Sequence, residues 1–282
     1  MSIRIIKKVK LSDIITRVFL ICYSLLVTYP ILWTLSCSLK TNNIFFDNIF
    51  GIPEVLHFEN YVNAWIKLKV SQYFINSALI TIASLLFMLL IATTTSFALA
   101  RYKFKLNKLI TVLYISGMMI PGIAGIIPLF IELKTFHMLD NRAVLVLINT
   151  VNMMPFSVFL LINFFKTIPS EIEEAGIIDG CNKFILFRKI MLPLAVPGII
   201  PLIIIQFMNC WSEIYFSLVL ITSDTKKTLQ VGLYNLQKVE MQRADWVSLF
   251  AAIVIVMLPT LVVYILFQRK IIEGVSIGAV KG

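Results

Sequence analysis

Six long apolar runs divide the chain: Ile14–Ser36, Tyr73–Ala98, Leu109–Ile131, Ala143–Phe165, Val196–Ile221 and Val247–Phe267. About 20 apolar residues in helical geometry cross the hydrocarbon core of a bilayer. The pattern therefore predicts six transmembrane helices and an all-α membrane protein, since a helix satisfies its own backbone where water is absent. An even number of crossings puts both termini on one side.

The runs are not plain anchors. The third carries Pro121, Gly122, Gly125 and Pro128, and the fourth Asn149, Thr150, Asn152 and Pro155. The fifth opens on Pro193, Pro197 and Pro201 and continues with Gln206, Asn209, Trp211 and Glu213. Breaks in backbone hydrogen bonding survive in a membrane only where protein or trapped water covers them. Polar side chains at depth face a bundle interior or a pathway. The fourth and fifth spans together are the expected walls of a solute path.

Charge gives a direction. The N-terminal arm counted together with Arg17 just beyond it, the Arg101–Lys108 turn, the Lys166–Lys189 loop and the C-terminal tail hold 16 Lys and Arg residues, against 9 in the alternate loops. The N-terminal arm brings Arg4, Lys7, Lys8 and Lys10, and the turn Arg101, Lys103, Lys105 and Lys108 with no acid among them. By the positive-inside rule, both termini and the loop between the fourth and fifth runs are expected in the cytoplasm. The protein divides into an N-terminal arm (1–13), a six-span domain (14–268) and a C-terminal tail (269–282).

That loop, Ser170 to Pro193, is long, charged and helix-forming. Ser170 with Glu173 three residues on predicts a capping box that opens a helix. Glu171, Glu173 and Glu174 suit the dipole of its first turns. Ile172, Ala175 and Gly176 fall at i, i+3 and i+4, a narrow face suited to close docking on a partner. Gly180 is placed for a left-handed helix stop, and Asn182 for the cap of a second short helix. On that second helix Phe184, Phe187 and Met191 form an apolar stripe, with Lys183, Arg188 and Lys189 polar. Pro193 is expected to end it and turn the chain back into the membrane. The alternative is an amphipathic loop resting on lipid headgroups.

Composition agrees with a membrane protein. Of 282 residues 59% are hydrophobic and 14% charged, with mean hydropathy +0.90; a soluble domain is about 25% charged. The net charge of +10 is accounted for by cytoplasmic loops rather than by nucleic acid. Cys22, Cys37, Cys181 and Cys210 contain no C-x-x-C and are expected to be small structural residues; with only His57 and His137 available, no metal is expected. Leu35-Ser36-Cys37 loosely matches a lipoprotein cleavage box, but Leu35 stands where a small residue belongs, so the first run is expected to stay as an anchor. No P-loop, G-x-S-x-G or H-E-x-x-H points to an enzyme.

The spacing Glu174-Ala175-Gly176, Gly180, Ile190-Met191-Leu192-Pro193 resembles the "EAA" loop, E-A-A-x-x-x-G-x(9)-I-x-L-P, of permease subunits in ABC importers. Met119-Ile120-Pro121 with Ile127-Pro128-Leu129-Phe130 resembles the third span of that family. Asn209-Cys210-Trp211-Ser212-Glu213 is similar to its W-N-E-F element, and Asn60-Tyr61 with Trp65 to its N-Y-x-x-x-W region. Gln268-Arg269-Lys270 through Gly278-Ala279-Val280-Lys281-Gly282 resembles its ending. Gly176 departs from the pattern by replacing the second Ala, which keeps the face small but loosens the helix by about 1 kcal/mol.

The resemblance is to the second permease of maltose-type and glycerol-phosphate-type carbohydrate importers, and it implies a type I ABC importer permease fold. It implies a second, homologous permease, two ATPase subunits at the cytoplasmic face and an extracytoplasmic solute-binding protein, in a bacterial cell membrane. The chain itself would bind no cofactor, ATP being used by the ATPase. Glu174, Ala175, Gly176, Asp179, Gly180, Ile190, Leu192 and Pro193 are the expected coupling residues. Asn152, Gln206, Asn209, Trp211 and Glu213 are expected along the solute path, Trp211 as a platform for the C–H faces of a sugar. Alternatively Trp211 belongs to an interfacial aromatic belt and Glu213 pairs within the bundle. Permeases for glycerol phosphate or peptides, or a secondary transporter, are the competing classes.

Overall fold

The computed structural model describes residues 11–279, and the regular structure among them is helical, with no strand. The elements are α1 (Leu11–Ser38), α2 (Asn42–Asp47), α3 (Glu59–Val62), α4 (Val70–Arg101), α5 (Asn107–Gly117), α6 (Ile126–Thr135) and α7 (Arg142–Thr167). There follow α8 (Ser170–Ile178), α9 (Lys183–Ile185), α10 (Leu192–Leu194), α11 (Val196–Trp211), α12 (Tyr215–Leu220), α13 (Leu229–Arg243) and α14 (Trp246–Ala279). The basic residues Arg4, Lys7, Lys8 and Lys10 and the closing Val280-Lys281-Gly282 lie outside the described residues.

Among the described residues, four helices are long and apolar enough to cross a bilayer: α1, α4, α7 and α14. The third and fifth expected spans are bent pairs. α5 and the segment Gly122–Thr135 meet at 90°, and Lys183–Leu194 meets α11 at 73°. At 16 residues, α11 is about 24 Å long, short of a hydrocarbon core of about 30 Å. The fifth run, read as continuous over Val196–Ile221, breaks at Ser212–Ile214 and resumes as the short α12. α14 runs on past Phe267 to Ala279. Pro155 and Pro201 stay inside unbroken helices, whereas Pro121 stands at the 90° bend as the N-cap of a 3-10 turn.

The chain forms two compact units. One comprises residues up to Leu68 together with Leu236–Ile255. Its apolar centre is Cys37, Phe45 and Val247, with Trp33, Trp246 and Phe250 packed around it. A fully buried lysine organises its loop: Lys40 Nζ donates to the carbonyls of Asn48 at 3.0 Å and Ile49 at 2.8 Å. Asn60 donates to the carbonyls of Ser38 and Lys40, and the Tyr61 hydroxyl pairs with that of Ser38. The family-like Asn-Tyr pair is thus loop scaffolding here. The most apolar stretch of α1 has none of its residues buried.

The other unit, Lys69–Asn235 with the chain from Val256, holds the main core. α4 and α7 run parallel there, Ser84 bonding back to Val146 and Ser96 to Val158. α11 runs antiparallel to α7, so that Gly198 meets Phe164 at one end and Gln206 meets Met153 and Ser157 further along. A Cβ on Gly198 would stand 2.4 Å from the Phe164 ring, so only glycine admits the approach. Met88, Val158, Leu161, Phe165, Met191 and Leu202 fill the centre.

At the end of this unit where α4 and α7 begin, polar groups replace apolar packing. Asp140 adopts a left-handed backbone, φ 57°, which Asp tolerates better than most residues. Its carboxylate accepts from the Ser223 hydroxyl and amide, the Thr222 amide and, at 2.8 Å, Lys226 Nζ. Asn76 donates to the carbonyls of Thr225 and Lys227 and accepts from Arg142. These bonds staple the 221–228 loop to the starts of α4 and α7.

Hydrogen bonds from Lys226, then from the Ser223 hydroxyl and amide, hold the Asp140 carboxyl far below the ordinary carboxylate range. Its stabilisation is therefore complete above the unfolded value of about 3.9 and is lost as pH falls through the depressed folded value. Asp140→Asn is expected to lower stability at pH 7 by about 1.5–3 kcal/mol, the worth of a hydrogen bond to a charged group. The gap from the parent should narrow in melting curves taken below about pH 4.

Candidate functional site

Two regions carry the expected site residues. The first is the loop after α7. α8 spans Ser170–Ile178, but Ser170 is its first helical residue and not its cap; Pro169 precedes it and no side chain caps the end. The capping box is absent because Glu173 turns to Arg101 instead, its Oε2 lying 3.7 Å from Arg101 Nε. The stop is as expected. Gly180 has φ 81°; its amide donates to Ile177 O and the Cys181 amide to Gly176 O at 2.9 Å. These are the two bonds of a Schellman stop. Asn182 caps the next helix, its side chain accepting from the Ile185 amide at 2.9 Å.

The second helical run bends over the first. Between α9 and α10 the backbone widens into a π-turn, Leu186–Met191, where the Leu192 amide reaches back to Phe187 O. Pro193 does not end the run: the bend falls at Ala195, two residues later. Gly176, expected on a docking face, is buried inside the chain, and a Cβ on it would lie 2.8 Å from Leu186 and 2.9 Å from Ile190. Gly176 and Ile190 therefore join the two halves of the loop. Met191 is fully buried, Leu192 half-buried and Pro193 exposed. Phe187 packs on Phe97, while Phe184, expected in the same stripe, is 67% exposed. The free face of the loop comprises Glu174, Ala175, Asp179 and Gly180 with the apolar Ile177, Ile178 and Phe184.

The second region is a cavity of about 880 Å³ between α7, α11 and the bent α5–α6 pair. Asn149, Asn152, Gln206, Asn209 and Glu213 stand on its wall, with Pro121, Gly122 and Phe216. Gln206 is buried; its amide donates to Met153 O and the Ser157 hydroxyl, and its carbonyl accepts from Asn209 at 3.2 Å. With both of its N–H groups used and its carbonyl accepting from Asn209, Gln206 orients Asn209, which keeps its carbonyl and one N–H for the cavity. Asn152 lies across from them, its Oδ1 only 3.0 Å from where a Cβ on Gly122 would sit.

Glu213 faces the cavity, yet its carboxylate is occupied. One oxygen accepts from the Phe216 amide at 2.6 Å, the other from the Ser217 amide and hydroxyl. An acid at the start of α12 satisfies amides that the helix leaves unpaired, so the charge secures the break in the fifth span. Trp211 is not on the wall. Its indole is 4% exposed, stacked on Phe207, edge-on to Phe74, and bonded through Nε1 to Val256 O. Because α11 turns Gln206 and Asn209 toward the cavity, Trp211, two residues past Asn209, is carried to another face. The part of the wall from Gly117 to Ile123 escaped the sequence reading, although its Pro and Gly marked the bend.

The fold and cavity define a multi-pass membrane permease. Residues 92–276 match the family described as binding-protein-dependent transport system inner membrane component, and the chain belongs to that family. It is 34% identical over 94% of its length to a diacetylchitobiose uptake system permease of Streptomyces coelicolor, covering 87% of that protein. It is 32% identical over 90% to a melibiose/raffinose/stachyose import permease of Bacillus subtilis, covering 91% of it. Among solved structures, a bacterial ABC transporter for import of the acidic polysaccharide alginate superposes with TM-score 0.81 at 22% identity, covering 93% of this chain and 99% of that one. The fold is that of an ABC importer permease.

Trp211→Ala is expected to open a core void and lower stability by about 3–5 kcal/mol, read as a lower melting temperature in detergent. The ranking of competing solutes in uptake should stay the same, because the indole touches no part of the cavity.

Proposed function

We propose that the chain is one permease subunit of an ATP-driven importer for a sugar or oligosaccharide, driven by a separate ATPase through the 170–193 loop. The carrying observation is a cavity walled by fixed amides in a chain whose relatives bear the names of sugar import permeases. Amide groups both donate and accept, which matches sugar hydroxyls, and the apolar Pro121, Ile123 and Phe216 beside them suit C–H faces.

The loop's construction supports its coupling role. Its two halves are packed together at Gly176 and hinged at Gly180, and they rest on the main core through Leu186 and Met191. A body held in this way moves as a unit. Its free face combines Glu174 and Asp179 with exposed Ile177, Ile178 and Phe184, a polar-rimmed apolar patch fit for a protein cleft. The excess of Lys and Arg in the same set of loops supports a cytoplasmic setting for it and for both termini. The uncovered apolar surface of α1 supports a second permease as its neighbour in the lipid. A neighbouring alginate importer structure includes a pentasaccharide-bound periplasmic protein; by likeness, a solute-binding protein would serve this chain at the opposite face. ATP and solute then act by favouring different global states of one assembly.

The experiment is uptake of labelled oligosaccharides into proteoliposomes holding the full importer, with the binding protein outside and ATP inside. Uptake is expected to require both, and an ion gradient in place of ATP should support none. Gly180→Leu is expected to insert normally and to abolish both uptake and stimulated ATP hydrolysis. A side chain is strained at φ 81°, which costs about 1–2 kcal/mol. Normal uptake by the inserted variant would remove the coupling role from the loop.

A further inference from the structure

The ends of α4 and α7 and the start of α8 meet at one side chain. Arg101, the last residue of α4, is 10% exposed at its side chain. Its Nη2 donates to the carbonyls of Phe165, at 2.7 Å, and Ile168. These lie at the end of α7, where Phe165 O also accepts from the amide of the C-cap residue Ile168 and the dipole favours a cation. Its Nε faces Glu173 Oε2 on α8 at 3.7 Å, with the Glu173 side chain 16% exposed. That distance is an ion pair but not a hydrogen bond, and Nε is buried without a hydrogen-bond partner. An approach of about 0.8 Å would close the bond.

The other half of the loop returns to the same corner. Lys183 Nζ lies 4.9 Å from the centre of the Tyr102 ring, and Phe187 packs 5.1 Å from Phe97. Among the described residues, Arg101–Glu173 is the ion pair that joins the loop to the α4–α7 bundle. Arg101 thus holds α4 and α7 together with one nitrogen and faces the loop with another.

We propose that Arg101 is a positioning residue that carries movement of the 170–193 loop into the paired ends of α4 and α7, with Glu173 as its grip on the loop. The inference rests on reading that loop as the point where the ATPase docks. The planar guanidinium is required because it addresses two carbonyls and a carboxylate from fixed directions; a lysine ammonium is a point charge on a flexible stem and cannot hold both sides. The unmade Nε bond gives the contact room to tighten as α8 moves.

The test uses the full importer in proteoliposomes, with uptake and ATP hydrolysis measured in the same vesicles. Glu173→Gln removes the charge with little change of shape, and Arg101→Lys keeps the charge but loses the fork. Both are expected to retain the ATPase subunits in parental ratio and to move about fivefold less solute per ATP, the low end of an allosteric coupling. The double variant should be no worse than the worse single one, since members of one network do not add. Parental solute-to-ATP ratio in Arg101→Lys would reduce Arg101 to a charge and overturn the proposal. Uptake and hydrolysis falling together in Glu173→Gln, in step with lost ATPase subunits or melting temperature, would also overturn it. If Gly180→Leu transports normally, the reading of the loop fails and takes this inference with it. If Gly180→Leu is inactive while Glu173→Gln and Arg101→Lys keep the parental ratio, the loop reading stands and the Arg101 role fails.

Discussion

The close parallel pairing of α4 and α7 is the constraint on which the main unit depends. In lipid no hydrophobic effect drives one helix against another, so association rests on tight packing and on hydrogen bonds between helices. Ser84, Ala92 and Ser96 on one side and Thr150, Ser157 and Val158 on the other are buried. Ser84 and Ser96 also bond across to carbonyls of α7. Small side chains let the backbones approach, and the approach places Arg101 within reach of the last carbonyls of α7. The polar staple around Asp140 and Asn76 closes the other end of the same pair. Both ends held, the pair is a rigid frame against which the broken elements can be set.

Those broken elements are where function is expected, and the reason is physical. An unbroken helix offers a membrane interior only side chains; a break exposes backbone that must be covered. The 90° bend at Pro121 and the interruption at Ser212–Ile214 both face the cavity. In the second, the carboxylate of Glu213 supplies the missing partners by capping α12. An acid that invited a role in solute binding is instead what makes the broken helix tolerable. Gln206 is likewise engaged through both its amide and its carbonyl, and its part is to hold Asn209 toward the open space.

The same logic of engaged against open groups separates the two faces of the 170–193 loop. Gly176, Leu186 and Ile190 make the loop one body, which rests on the core through Leu186 and Met191. Glu174, Ala175, Asp179 and Gly180, with Ile177, Ile178 and Phe184, are left outward. A motif that reads as a single unit in sequence therefore splits into residues that build the lever and residues that a partner can grip.

Local chemistry was legible in the sequence wherever it is decided over a few residues. The apolar runs marked every membrane-length helix, because burying backbone in lipid demands about 20 apolar residues in a row. The left-handed stop at Gly180 and the cap at Asn182 followed from their own side chains, or from the lack of one. What only the tertiary structure decided is direction. Trp211 packs into the bundle, Gly176 faces inward, Glu173 turns to Arg101 in place of a capping box, and the fifth run breaks after Trp211. Each of these depends on which face of a helix meets which neighbour, and that is set by residues tens of positions away. A charge at the end of a span, such as Arg101, reads in sequence only as a mark of sidedness. Its burial between two carbonyls and a carboxylate appears once α4, α7 and α8 are brought to one corner.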